Sequence, residues 1–169
     1  MVEMALLDSA RRAEWEAWYV AHQKKLLSIP GIHASQRFEA LHKAESPFAA
    51  LHEVDSPDVL TSASYRAQAG PTNTGEWQTK MDNWHRNVFD GIAHTPDVPT
   101  DSCLLVVEAH GGSALPGGVT VTWMTAVGLD RSVARRGLAI VPAATAHRFV
   151  GTPGVRVMKP LGPRLRRGT

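Results

Sequence analysis

The chain has 169 residues, of which 43% are hydrophobic and 20% are charged, a composition typical of a soluble globular domain. No run of about 18 apolar residues occurs, and the first ten residues lack a basic segment before an apolar core, so we expect neither a transmembrane helix nor a signal peptide. The single cysteine, Cys103, excludes an internal disulfide and suits a reducing compartment. We therefore expect a cytoplasmic protein with no membrane partner.

The net charge of +2 is unevenly distributed along the chain. Residues 1–101 contain 9 Lys/Arg and 14 Asp/Glu, whereas residues 102–169 contain 9 and 2. A basic segment can bind nucleic acid, but these arginines are scattered, without interleaved aromatic residues or a known binding motif. We expect the basic surface to face the acidic part of the same chain or of a partner chain, and we expect no nucleic-acid partner.

The N-terminal part of the chain predicts a strand, a helix and a pair of strands. The apolar run 2–7 fits a first strand, and Asp8 or Ser9 can cap the following helix, which a Pro-Gly pair ends. Residues 32–42 and 47–55 are typical of a hairpin. The apolar face of the helix is formed by residues at steps of three and four, namely Trp15, Trp18, Tyr19, His22, Leu26 and Ile29.

Charge and aromatic pairing suggest a register for this hairpin in which paired residue numbers sum to about 90. That register sets Arg37 against Glu53, an opposite-charge pair that stabilises a ladder by a few tenths to about 1 kcal/mol. It places Phe38, His42 and His52 together on the other face.

Two further helices are predicted, followed by several strands. One helix runs from Ser56 to about Ala69, and Glu76 to Ile92 is the strongest helical pattern in the chain. The loop 94–99 is the best candidate for an internal boundary. The apolar stripe of the second of these helices contains Trp77, Met81, Trp84, Val88, Phe89 and Ile92.

The C-terminal third predicts strands with a less regular end. Residues 103–109 and 119–127 are predicted strands, joined by a loop flanked by Gly111-Gly112 and Gly117-Gly118. Residues 132–141 fit a short helix or a helix plus a strand, 154–159 fit a last strand, and the tail from Pro160 is predicted to be loose.

The segment from Trp15 to Glu53 resembles the EthD-like branch of the dimeric α/β-barrel superfamily. The order strand, helix, two strands, helix, strand is that of a ferredoxin-like βαββαβ unit. The resemblance covers roughly residues 1–110, and His52 stands where that branch more often has an aromatic phenol. The matching features are Trp18-Tyr19, His22, Ile29-Pro30-Gly31, Arg37-Phe38 and Ala50-Leu51-His52-Glu53.

The resemblance implies an α+β fold in which ferredoxin-like units form a dimeric α/β barrel, usually across a homodimer. We therefore expect a ferredoxin-like unit at residues 1–110. A C-terminal β-rich lobe at residues 111–169 would pack on the same core, either as a shortened second ferredoxin-like unit or as an appended lobe. Pockets in the superfamily lie between sheet and helices and host small aromatic or polyketide-like compounds.

His22, Tyr19 and His52 are the candidate catalytic residues. A partly buried imidazole on the apolar face of the first helix would be kept neutral by desolvation and could move a proton. If the hairpin face that carries His52 meets this helix, the two histidines and the phenol of Tyr19 share a pocket. Such a set could enolise or dehydrate a carbonyl compound. The alternative for each histidine is a structural role in the core.

The remaining site residues supply aromatic surface or an alternative chemistry. Some barrel relatives hold haem through a histidine on the second helix, which would assign that role to His85. No tight metal-ligand spacing, nucleophile elbow, phosphate loop or dinucleotide motif occurs, so we expect no metal and no cofactor, with haem as the alternative. The candidate substrate-binding residues are Trp15, Trp18, Phe38, Trp84 and His85.

The sequence thus predicts a homodimeric enzyme that performs cofactor-independent acid/base chemistry, of lyase, isomerase or cyclase type. Its substrate would be a small aromatic or polyketide-like carbonyl compound. One alternative is a haem-binding or oxygenase-like barrel protein. The other is a non-catalytic module for ligand binding or assembly, in which the histidines are structural.

Overall fold

A computed structural model describes residues 1–109 and 115–168 of the chain. In these residues nine strands dominate, and the three α-helices are α1 (Arg12–Ser28), α2 (Ala63–Gln68) and α3 (Ala143–Ala146). No helix in the described part of the chain is both long and apolar enough to cross a membrane. The strands are β1 (Val2–Leu6), β2 (Ile32–Ala40), β3 (Phe48–Val54), β4 (Met81–Asp90), β5 (Ser102–Glu108), β6 (Thr122–Leu129), β7 (Arg135–Pro142), β8 (Val155–Pro160) and β9 (Leu165–Arg166).

Eight of these strands form a closed antiparallel barrel. The neighbour order is β3, β1, β4, β6, β7, β5, β8 and β2, and the pairing of β2 with β3 closes the ring. The short strand β9 adds to the edge of β2 beside β8. The barrel consists of two halves, β1–β4 and β5–β8, that have the same internal strand order. In each half the fourth strand neighbours the first, the first neighbours the third, and the third neighbours the second.

The predicted fold class, an α+β ferredoxin-like dimeric α/β barrel, is wrong. The barrel is closed by strands of a single chain and consists mostly of sheet, with helices of 17, 6 and 4 residues. A second copy of the chain is not needed to close the barrel. The homodimer therefore stays a prediction that rests on the resemblance alone. The division into 1–110 and 111–169 also stays a prediction.

The strongest predicted helix, Glu76 to Ile92, is instead a short 3₁₀ turn (Gly75–Thr79) followed by strand β4. Asn83 has a positive φ of 47°, and the pairing of β4 with β1 shifts register at this point. A bulge adds a residue to a period-two pattern, so apolar positions on either side of it fall at steps of three and four. The bulge therefore gives the apolar residues of this segment a spacing that resembles the apolar face of a helix.

The register predicted for the β2–β3 hairpin is also wrong. Ser35 pairs with His52 and Arg37 with Ala50, so paired numbers sum to 87 in the structure rather than about 90. Because the difference is odd, it changes which residues share a face. His52 thus lies on the face of Arg37, whereas Phe38 points to the opposite face.

Several other predictions are confirmed or corrected by the strand assignments. The first strand, helix α1 and strands β5 and β8 are found where they were predicted. Residues 132–141, predicted as a short helix or a helix plus a strand, contain no helix, and strand β7 begins at Arg135. The tail is tied to β2 through β9. The helix predicted from Ser56 is split into a 3₁₀ turn (Pro57–Thr61) and α2. Gly111-Gly112 lies outside the described residues.

The barrel has an apolar interior and two separate apolar layers on its outside. The interior cluster takes alternate residues from many strands, including Phe38, Leu104, Met124 and Met158. Outside β1–β4, the side chains of α1 and α2 cover the sheet. Outside β5–β8, the cover comes from α3 and the following turn, which contributes Phe149.

One buried polar network joins the two halves. Glu3 on β1 is 2% exposed and contacts Arg136 on β7, at 3.2 Å, and Arg156 on β8. Arg136 also contacts Glu108 on β5. Burial alone would raise the pKa of Glu3, but the two arginines outweigh it and hold the pKa below its usual value. The carboxylate therefore stays charged and paired.

Candidate functional site

A cavity of about 500 Å³ lies between the outer face of β1, β3 and β4 and the helices α1 and α2. Interior residues such as Leu51, Phe89, Met124 and Leu138 also line it, so it extends into the end of the barrel. A volume of this size suits a small organic ligand. The polar and aromatic side chains that line the cavity include Trp18, Tyr19, His22, His52, Tyr65 and Arg86.

Two buried contacts help to hold α1 over the sheet. Trp15 is fully buried and packs on Phe48 of β3, with ring centroids 4.7 Å apart. Gln23 donates a hydrogen bond of 2.8 Å from Nε2 to the Oγ of Ser35 on β2, and both side chains are buried. Because His22 precedes Gln23 directly, this bond sets the height of its imidazole above the sheet.

His22 faces the cavity from α1. Its imidazole is stacked on the indole of Trp18, with centroids 5.1 Å apart and planes at 16°, and Tyr19 contacts it edge-on at 5.9 Å. Burial, with a smaller contribution from Lys25, lowers the pKa of His22 to about 4. The imidazole is therefore neutral at pH 7.

His52 faces the same cavity from β3, opposite Ser35 in the ladder. Its Nδ1 is buried and has no hydrogen-bond partner among the described residues. Burial lowers the pKa of His52 to about 3, with smaller contributions from the amino group of Met1 and from His22. A buried nitrogen without a partner is uncommon in proteins and can mark a ligand position.

Tyr19 lies beneath these imidazoles and is 4% exposed. The guanidinium of Arg37 lies over its ring at 4.2 Å from the centroid, and Arg37 is held in turn by Glu16 at 2.7 Å. Burial raises the pKa of Tyr19 far above its ordinary value, although Arg37 opposes this. The phenol therefore remains protonated and can donate a hydrogen bond to a ligand.

The structure brings together five of the eight predicted site residues and separates the other three. Trp18, Tyr19, His22, His52 and Trp84 line the cavity. The remaining three predicted residues are placed elsewhere. Trp15 packs beneath α1, Phe38 is fully buried in the barrel interior, and His85 is exposed on β4.

Tyr65 and Arg86 are cavity residues that the sequence did not indicate. The sequence pattern around Arg86 predicts a helix, which does not place this residue at the cavity. Tyr65 gives no signal because α2 has no distinctive motif. Burial raises the pKa of Tyr65, while the contact of its hydroxyl with Arg86 lowers it by less. Arg86 also contacts Asp130, with Nη2 and Oδ1 3.5 Å apart.

The described residues give little basis for a metal or haem site. In residues 1–109 and 115–168, no three His, Cys, Asp or Glu side chains are grouped as a metal would require. The haem alternative relied on His85 as a helical ligand, but His85 lies exposed on a strand and away from the cavity. A haem held by His85 therefore does not fit these residues.

The fold and the cavity define a single-chain, eight-stranded antiparallel barrel with a ligand-sized cavity beneath its flanking helices. Comparison of the chain with family models, with curated proteins and with solved structures finds no match. The resemblance to the EthD-like branch therefore stays a prediction based on the residues quoted for it.

Proposed function

We propose that this protein binds a small, mostly apolar, aromatic carbonyl compound in the cavity and catalyses a cofactor-independent proton transfer on it. The observation that carries the proposal is that His22 and His52, two neutral imidazoles from different elements, face one apolar cavity beside Tyr19. A neutral imidazole can accept a proton from carbon, and a protonated phenol can donate a hydrogen bond to the carbonyl oxygen.

The unpartnered Nδ1 of His52 makes it the better candidate for the base. It would take a proton from the carbon next to the carbonyl, while the developing enolate oxygen accepts a hydrogen bond from Tyr19. For a substrate with a double bond β,γ to the carbonyl, return of the proton from His52 to the γ-carbon of the dienolate completes an isomerisation, and no external reagent is consumed. Because burial disfavours a charged imidazole, His52 would hold the proton only briefly. His22 would help to orient the carbonyl compound by fixing the indole of Trp18, on which its imidazole is stacked.

Hydrogen–deuterium exchange tests this reaction without knowledge of the natural substrate. In D₂O, 2-acetonaphthone loses its methyl-proton NMR signal when a base enolises it, and we expect the protein to accelerate that loss. His52→Gln should reduce the acceleration by about a hundredfold or more. His147→Gln, a change at an exposed histidine far along the chain, serves as the matched control.

The results of this exchange experiment separate the proposal from its main alternative. A folded His52→Gln variant that retains full exchange would contradict the assignment of the base. If 2-acetonaphthone binds but the wild-type protein gives only the buffer rate, the protein is a binding module rather than an enzyme. The low pKa values of both histidines are the observation that favours this second candidate, since a base with so low a pKa has little driving force.

We also propose a cytoplasmic location for the protein. The support is its single cysteine, Cys103, which is buried in the outer layer of β5–β8 and has no disulfide partner in the sequence. A homodimer is proposed only from the resemblance, and light scattering of the purified protein measures it directly.

A further inference from the structure

We infer that the ligand of the cavity carries an anionic group, a carboxylate in the simplest case, which Arg86 and Tyr65 bind. This inference rests on the proposed function and specifies its substrate class: an apolar aromatic carbonyl compound that bears an acid at one end. The observations that carry it are the position, the incomplete pairing and the surroundings of the Arg86 guanidinium.

Arg86 is the only Lys or Arg among the described residues that line the cavity. It reaches the cavity because β4 places it on the same outer face as Val2, which is paired with Ala50 of β3. His52 is two residues beyond Ala50 on that face. Standard strand spacing then puts the Cα atoms of Arg86 and His52 roughly 12 Å apart, and both residues line the cavity.

The half-buried Arg86 is paired more weakly than the buried Arg37. Its contact with Asp130 is 3.5 Å long, beyond the usual length of a charged hydrogen bond, whereas Arg37 lies 2.7 Å from Glu16. Asp130 is also a third exposed, so water competes for it. Several N–H donors of Arg86 are therefore left for a ligand.

Tyr65 gives Arg86 a second donor at the same point. Its side chain is 9% exposed, and α2 is held in place by the Ser62 cap, whose Oγ accepts the Tyr65 backbone N–H at 3.2 Å. A protonated phenol beside a guanidinium offers neutral and charged donors together, which is how proteins bind a carboxylate. The indole of Trp84, with the guanidinium 5.5 Å from its ring centroid, further restricts Arg86 to this place.

The carboxylates that line the cavity do not compete for Arg86. Glu53 is bound by Arg164 and Thr95, Asp55 contacts His33, and Asp90 accepts the backbone N–H of Gly91. Each of these acids among the described cavity residues therefore has a partner, whereas the guanidinium of Arg86 is incompletely paired. A ligand with one negative charge would complete the pairing.

Two ligands that differ mainly in charge test this inference. 2-Naphthoate and 2-acetonaphthone have the same ring system, and their binding can be followed by quenching of tryptophan fluorescence. We expect the wild-type protein to bind 2-naphthoate at least tenfold more tightly. Arg86→Gln should weaken the binding of 2-naphthoate and so abolish that preference, and Tyr65→Phe should reduce the preference severalfold.

The control is Arg66→Gln, which removes an exposed arginine from α2 outside the cavity and should leave the preference intact. Equal affinity for the two ligands in the wild-type protein would overturn the anion inference but not the proposed function. A preference that survives both Arg86→Gln and Tyr65→Phe would overturn it as well. If neither ligand binds the wild-type protein, the proposed function fails together with this inference.

Discussion

The two halves of the barrel use the same strand order but cover their outer faces differently. Strands β1–β4 lie under the 17-residue helix α1 and under α2, whereas β5–β8 lie under the four-residue helix α3 and one further turn. The cavity lies beneath the helices of the first half, and the polar and aromatic side chains that line it, from Trp18 to Arg86, all belong to that half. The comparison suggests that the covering elements, rather than the barrel, decide where a ligand can bind.

Side-chain size explains part of this difference. The α1 face carries large side chains, Trp15, Trp18 and Tyr19, and two of them form the cavity wall. In the second half, α3 is built from Ala and Thr, and Ala146 is fully buried, so its backbone can pack close to the sheet. Phe149 then fills the adjacent space. Large side chains that border a cavity thus contrast with small ones that allow close packing.

The largest expected effect concerns Glu3, the residue that joins the two halves. Glu3→Gln removes the charge between Arg136 and Arg156 and leaves two buried guanidinium groups without it. We expect a loss of about 3–5 kcal/mol in the free energy of unfolding, measured by urea denaturation. A loss below about 1 kcal/mol would mean that the halves are not coupled through this network.

The second prediction compares the two covers directly. Phe149→Ala, in the filled cover, should cost about 3–4 kcal/mol of unfolding free energy because it opens a hole in a close-packed layer. Trp18→Ala, at the cavity wall, should cost only about 1–2 kcal/mol because Trp18 is partly buried beside existing space. Urea denaturation of both variants gives the values. Equal losses would contradict the contrast between a filled and an open cover.

The third prediction concerns pH and the buried imidazoles of the first half. Because the pKa of His22 is about 4 and that of His52 about 3 in the folded protein, below the usual 6.5, the unfolded chain binds protons first as pH falls. The stability they provide is fully present above pH 6.5 and declines toward pH 3–4. Each proton contributes up to about 1.4 kcal/mol per pH unit to this slope.

Urea denaturation between pH 4 and 8 measures the slope. His52→Gln and His22→Gln should each make the dependence shallower in this window. His147→Gln, at an exposed position of the second half, controls for the substitution itself. Variants with the unchanged wild-type slope would show that these imidazoles are not buried as described.

The smallest expected effect concerns the cap that holds α2 over the cavity. Ser62→Ala removes the side-chain acceptor of the Tyr65 backbone N–H and should cost about 1 kcal/mol. Ser64→Ala is the matched control, since Ser64 lies inside α2 and does not cap it. Thermal unfolding followed by circular dichroism measures both. Equal effects of the two changes would contradict the capping role.

Local patterns predicted the first half of the molecule only in part. The spacing of Trp15 to Ile29 and the following Pro-Gly pair correctly predicted α1, because one helical face is buried there. The bulge at Asn83 could not be read from residue types, and it concealed both β4 and Arg86. Closure of the barrel depends on long-range pairing between β4 and β6 and between β2 and β8, which no local period encodes.

The candidate site shows the same division between local and long-range information. His22 and Tyr19 were predicted from the helical face, and His52 from its strand, but their common cavity depends on the register that pairs Ser35 with His52. The charge pattern of the sequence predicts a register for β2 and β3 that differs from this one by three residues. Tyr65 gave no signal because a single tyrosine in a short helix is more often part of a core.

The most direct test of the shared cavity is histidine NMR during a titration with 2-acetonaphthone. The account predicts that the imidazole resonances of His22 and His52 shift together with a single dissociation constant, while that of the exposed His147 does not move. In the free protein, both cavity histidines should show neutral imidazole shifts at pH 5.5. Imidazoles that are protonated at that pH, or that respond to the ligand separately or not at all, would contradict it.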